Sequence, residues 1–142
     1  MSLSVQFAVK GLDSLQKSIA KHVREKKKAR MRALTKAAYL VRADAQQLIT
    51  RGPKTGEIYG KHQASRAGEA PANDTGNLVR SITVDPVTEE EMVTVTCRAP
   101  YAAALELGTD DGKIEERPFM RPAANRNKKA VAELMREAHR GK

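Results

Sequence analysis

The chain of 142 residues has no tryptophan, two phenylalanines and three tyrosines. Large anchoring side chains are therefore few, and a core has to be assembled mostly from Ala, Val, Leu, Ile and Met. A core of that kind gains from burying further surface against a partner. There is one cysteine, Cys97, which excludes an intrachain disulfide. No apolar run approaches the roughly 20 residues that cross a bilayer, so no helical membrane span is expected. The opening Ser2-Leu3-Ser4-Val5 is not a basic segment followed by an apolar one. No signal peptide is therefore expected, and the chain is expected to be made in a reducing cytosol. The length suits one domain, residues 1–142, with a modest core.

Catalytic and cofactor motifs are missing as well. There is no GxxxxGK(S/T) phosphate loop and no GxGxxG after a strand, and the glycines of 51–75 sit in no strand-to-helix frame. His22, His62 and His139 have no His or Cys partner at ligand spacing, which argues against a zinc site. Cys97 falls on the apolar side of an expected strand and reads as a structural thiol. Nothing calls for a cofactor, a metal or a small-molecule substrate.

What the chain has in excess is positive charge, +9 overall. Its placement matters more than its size. Lys17, Lys21, Arg24, Lys26, Lys27, Lys28, Arg30, Arg32 and Lys36 face Glu25 alone, a local excess of +8 in twenty residues. Such a run is either a solvated helix face or a contact for nucleic acid or an acidic partner. Lys21, Arg24, Lys26, Lys27, Lys28 and Arg30 are the candidate DNA-facing residues. Aromatic side chains are not interleaved with them, Tyr39 being the nearest, so base stacking is not supported and any DNA contact would be with phosphates.

Apolar periodicity places the elements. Leu3, Val5, Phe7 and Val9 alternate as a strand that Gly11 ends. Asp13 precedes Gln16 at capping-box spacing. Leu12, Leu15, Ile19 and Val23 step by three or four. The stripe fades at Lys26-Lys27-Lys28 and returns as Met31, Leu34, Ala38, Val41, Ala45 and Leu48, until Gly52-Pro53 stops it. Residues 13 to 50 as one helix would measure about 57 Å, against a diameter of roughly 40 Å for a compact chain of this size. Either the helix bends or breaks near 26–30, or it projects and packs on a neighbouring subunit.

Residues 51 to 75 carry four glycines and two prolines with almost no periodicity, and are expected to form a long flexible loop. Thr75 to Ser81 suits a helical turn. Ile82 and Val84, then Val93, Val95 and Cys97, alternate as a β-hairpin around Glu89-Glu90-Glu91. Residues 100 to 107 suit a short helix. Pro122 is placed in the first turn of a last helix, with Ala123, Ala130, Val131, Leu134, Met135 and Ala138 as its apolar stripe. The fold class is α+β. A small antiparallel sheet, made of the N-terminal strand and the later hairpin, packs against a long N-terminal and a C-terminal helix.

One acid is out of place. Glu106 lies in the apolar run Tyr101 to Leu107, where a catalytic carboxylate would need a second acid or a base held beside it. Asp110, Asp111, Glu115 and Glu116 read as a solvated link instead. Glu106 therefore either ends its helix exposed or pairs with an arginine such as Arg117 or Arg121.

Three segments then appear in order: Thr75-Gly-Asn-Leu-Val-Arg-Ser-Ile82, Pro100-Tyr-Ala-Ala-Ala-Leu-Glu-Leu-Gly-Thr109 and Arg117-Pro-Phe-Met-Arg-Pro-Ala123. Together with the opening Phe7 to Ile19 they resemble the tail-component family of tailed bacteriophages typified by gene product ten of a lambdoid siphophage. The resemblance runs over nearly the whole chain, with Leu107 where an aromatic is common. It implies a non-enzymatic virion assembly protein, a head–tail connector or tail-completion factor. Such a protein would act as a ring, expected to be a hexamer, against other neck and tail proteins. It implies no catalytic residues, no cofactor and no membrane, and a place in the virion after assembly in the host cytoplasm. Glu106, Arg117, Arg121 and Tyr101 become candidates for ion pairs or subunit contacts, and the basic helix could face DNA in the neck. A basic nucleic-acid-binding module using Lys17–Lys36 is the alternative.

Overall fold

The computed structural model describes Ser4 and residues 10–141. The expected N-terminal strand, residues 3–9, lies outside the described residues apart from Ser4. Helix α1 runs unbroken from Leu12 to Arg51, 40 residues and thus about 60 Å. No Gly or Pro interrupts it, and the lysine run does not break it. It starts one residue before the expected Asp13 cap. Gly11, in the left-handed region at φ 87°, is the N-cap, with no side-chain cap bond, and its carbonyl accepts the Leu15 N–H at 2.9 Å. At the other end Gly52 turns extended and its N–H donates to the Leu48 carbonyl.

The second half of α1 is the spine of the fold. Ala33, Ala37, Ala38 and Ala45 are buried, and their small side chains leave room for a close neighbour. That neighbour is helix α4, Met120–Arg140. It runs antiparallel to α1: Asn127 Nδ2 donates to Asp44 Oδ2 at 3.2 Å near one end, and Lys26 Nζ donates to the His139 carbonyl at 2.7 Å at the other. Ala123 and Ala138 face inward, Val131, Leu134 and Met135 are half-buried, and Ala130, expected on the apolar stripe, is exposed.

Between them come the short elements. A two-residue hairpin pairs β1 (Ile58–Tyr59) with β2 (His62–Gln63) inside the segment that the sequence reads as loop. Helix α2 is Asn77–Arg80; β3 (Ile82–Val84) pairs antiparallel with β4 (Val95–Cys97), Ile82 opposite Cys97. Val93, expected in the strand, falls before β4. The observed sheets are thus two separate pairs, β1–β2 and β3–β4. Helix α3, Ala102–Leu107, follows Pro100 as expected.

Among the described residues, Phe119, Ile49 and Ile82 are the largest fully buried side chains, and they meet in one cluster with Leu48, Leu78 and Ala123. The scarce aromatic residue is thus spent at the centre. Cys97 packs against this cluster half-buried, with Sγ 3.2 Å from Ser81 Oγ.

The 52–71 segment is tied to the core by Ala70, which is buried in the central cluster, and is held together by a carboxylate. Glu69 accepts the Thr55 hydroxyl, the Thr55 N–H at 3.0 Å and the Arg66 N–H at 2.9 Å. These bonds, the Thr55 hydroxyl first, lower the Glu69 pKa from 4.5 to about 2. A depressed folded value means that the staple acts fully above the ordinary value and weakens as pH falls towards 2. The Thr55 and Arg66 amide resonances should therefore titrate with a midpoint near 2, and Glu69→Gln should abolish that step. A midpoint near 4.5 would mean that the staple is not formed in solution.

Candidate functional site

Glu106 sits in α3 with its side chain 12% exposed, and its carboxylate points at the start of α4. Oε2 accepts the N–H groups of Phe119 at 2.8 Å and Met120 at 2.9 Å. Oε1 accepts the N–H of Arg121 at 2.9 Å and its Nε–H at 3.2 Å. The first backbone N–H groups of a helix lack intrahelical partners and carry its positive end, so an anion belongs there. The local sequence offers no capping side chain, because the N-cap is Phe119. Glu106 supplies the cap from another element.

Arg121 closes the joint. Its Nη2 donates to the Glu106 carbonyl and to Glu116 Oε2, both at 2.9 Å. The Glu116 contact first, then Glu106, raises the Arg121 pKa. A carboxylate offers about four lone-pair sites, and the four of Glu106 are taken. It has no free position for proton transfer and works as a fastener.

Of the two arginines expected as partners, Arg121 pairs with Glu106 and Arg117 does not. Arg117 donates its backbone N–H to the Leu105 carbonyl at 2.6 Å, and its buried Nε has no partner. Its side chain lines a cleft of about 350 Å³ together with Tyr101, His62, Ser65 and Asn77. Tyr101 is 45% exposed and joins no ion pair. The expected solvated link is a closed excursion: Thr109 N–H donates to the Ile114 carbonyl at 2.9 Å, and Gly112 N–H to the Thr109 carbonyl at 2.9 Å. Asp111 is held below the usual carboxylate range, first by the Thr109 hydroxyl and then by Lys113.

The basic candidates divide. Lys26 is drawn to the end of α4, as above. Arg30 forks onto Glu91, Nε to Oε2 at 2.6 Å and Nη2 to Oε1 at 2.7 Å. That fork lowers the Glu91 pKa, raises that of Arg30 and pins the β3–β4 loop, where Glu91 holds φ 58°. Lys27 is half-buried. Lys17, Lys21, Arg24 and Lys28 are exposed and recur every three or four residues, on the face of α1 opposite Leu12, Leu15, Ile19 and Val23. Among the described residues no group of His, Cys, Asp or Glu is placed to hold a metal ion, and no helix is long and apolar enough to cross a membrane.

The Glu106 carboxylate thus joins α3 to the start of α4. The chain matches the family described as "Bacteriophage HK97-gp10, putative tail-component" over residues 12–108, well over half its length, and it belongs to that family. Membership gives it a structural role in a bacteriophage, alongside other tail proteins, with the virion as its place. The matched span runs from the first residue of α1 to the turn after α3. Arg117–Ala123 and α4 lie outside it. No curated protein and no solved structure matches the chain.

Proposed function

We propose that the protein is a non-enzymatic component of the head–tail joining region, a connector or tail-completion factor that assembles as a ring, with six subunits the expected number. It assembles in the host cytoplasm and stays in the neck or tail of the virion against other neck and tail proteins. The observation that carries this reading is the family match across α1, the hairpin and α3. The saturated Glu106 carboxylate supports the non-enzymatic part, because the most conspicuous acid of the sequence is occupied by helix capping.

The test is genetic and biochemical. A phage lacking the gene should accumulate filled heads and separate tails, and adding the purified protein to that lysate should restore infectious particles. Intact infectious particles made without the protein would overturn the proposal. The exposed face Lys17, Lys21, Arg24 and Lys28 supports a secondary, non-specific contact with DNA passing through the ring. Neutralising about four phosphates implies a roughly hundredfold loss of affinity between 50 and 200 mM salt. No retardation of DNA even at low salt would remove that contact.

A further inference from the structure

Three arginines are half-buried among the described residues: Arg30, Arg42 and Arg117. A guanidinium drawn partly out of water needs a counter group, because an unpaired charge is costly there. Arg30 has Glu91. Arg42, whose Nε is unpaired, lies 5.8 Å from the centroid of the Tyr39 ring. Arg117 has neither. Its Nε is closed to solvent without an acceptor, its terminal nitrogens stay reachable and make no hydrogen bond, and it joins no ion pair among the described residues.

The backbone fixes this residue from two sides. The Arg117 N–H is held by the Leu105 carbonyl of α3, and the adjoining Glu116 carbonyl accepts the Gly68 N–H at 2.8 Å. Between α3 and the segment that carries Gly68 opens the cleft of about 350 Å³ that Arg117 lines, at the small end of ligand sites. Its wall can donate. Ser65 is only 8% exposed, and neither its hydroxyl nor that of Tyr101 makes a hydrogen bond among the described residues. Asn77 spends its side-chain oxygen on Arg80, which leaves its amide hydrogens unused. The acids nearby do not close the cleft. Asp74 lines it, and Glu57 and Glu115 line a neighbouring cleft that Arg117 and Arg66 share, yet none pairs with Arg117.

The paired arginine shows what is missing. Arg30 grips both oxygens of Glu91, because a planar guanidinium matches a planar carboxylate. In the cleft one cation faces one acid, Asp74, so no net positive charge is left over to hold a dianion such as phosphate. A singly charged planar group fits better. We infer that this cleft is a binding site for a carboxylate, which takes the terminal nitrogens of Arg117 as its fork and the unused hydroxyl and amide donors of the wall around it. The group can be the side chain of an Asp or Glu of another protein or a free small carboxylate, which present the same oxygens. One subunit carries the whole site, so the inference stands apart from the ring reading.

Nuclear magnetic resonance on the full chain tests it. The Arg117 Nε–H, sheltered from solvent, should give a slowly exchanging resonance, identified by its loss in Arg117→Lys. Sodium acetate and the peptide acetyl-Ala-Glu-Ala-amide should move it saturably at neutral pH, and sodium chloride at equal ionic strength should not. The better of the two should half-saturate near about 1 mM. Followed on the Ser65 and Tyr101 amides, Arg117→Lys should weaken binding about tenfold, because an ammonium offers no fork. A peptide about tenfold tighter than acetate assigns the site to an acidic side chain of another protein, and equal or weaker peptide binding assigns it to a free carboxylate. Arg117→Met removes an unpaired charge and should melt at or above wild type. Four results would overturn the inference. They are no shift at about a hundred times the expected half-saturation, phosphate binding tighter than acetate, an Arg117→Lys variant that binds like wild type, and an Arg117→Met variant that melts well below it. The last would mean that an acid of the chain, Asp74 first, already holds the guanidinium.

Discussion

Replacing Phe119 by alanine should cost about 4 kcal/mol and lower the melting temperature by more than about 10 °C. Phe119 is 1% exposed and touches the cluster that joins α1, β3, α3 and α4. No other aromatic side chain belongs to that cluster, so filling the gap would require Leu48, Ile49, Leu78 or Ile82 to leave its own packed position. Phe119→Leu keeps most of the volume and should cost no more than about 1.5 kcal/mol. Thermal unfolding followed by circular dichroism reads both. If the alanine variant loses less than about 1 kcal/mol, the side chain is not packed as described.

The second large effect belongs to Glu106. Glu106→Ala strands three backbone N–H groups at the head of α4 and removes the partner of Arg121. A cap is worth about 1 kcal/mol and a hydrogen bond to a charged group about 1.5–3 kcal/mol, so the expected loss is about 3 kcal/mol, or roughly 10 °C. Glu106→Gln should lose about 2 kcal/mol, because its amide keeps one acceptor and turns a donor towards other donors. The amides of Phe119 and Met120 should also exchange faster in both variants. A Glu106→Gln protein that melts with wild type and protects those amides would sink the fastener role.

Neighbouring residues in the chain announced most of the helices and the β3–β4 hairpin, because their signals are local. The 3.6-residue period gives α1 and α4, alternation around Ile82 and Cys97 gives the hairpin, and Pro100 and Pro122 punctuate the rest. What escaped rests on distant partners. The β1–β2 hairpin has two residues per strand and no apolar alternation to announce it. Glu69 joins Thr55 to Arg66, and nothing near Glu69 in the chain marks it as a staple. The Glu106 cap reaches 13 to 15 residues along the chain. Its sequence signal is indirect: a helix start at Phe119 with no Ser, Thr, Asp or Asn before it, and an unexplained acid in the preceding helix. The start of α1 was displaced for a related reason, since Gly11 turns the chain through backbone conformation alone, without the side-chain bond that Asp13 suggested.

The uninterrupted length of α1 also makes the molecule a lever. One rigid rod carries the exposed Leu12, Leu15, Ile19 and Val23 at one end and anchors the core at the other. A tilt of about 5° at whatever seats that end swings the far end, some 60 Å away, by about 5 Å, more than the spacing of neighbouring strands. Angular play of that size, repeated round the proposed ring, would leave its ends out of line. Whatever covers Leu12 to Val23 would thus set the pointing accuracy of the body, out of proportion to the area those residues present.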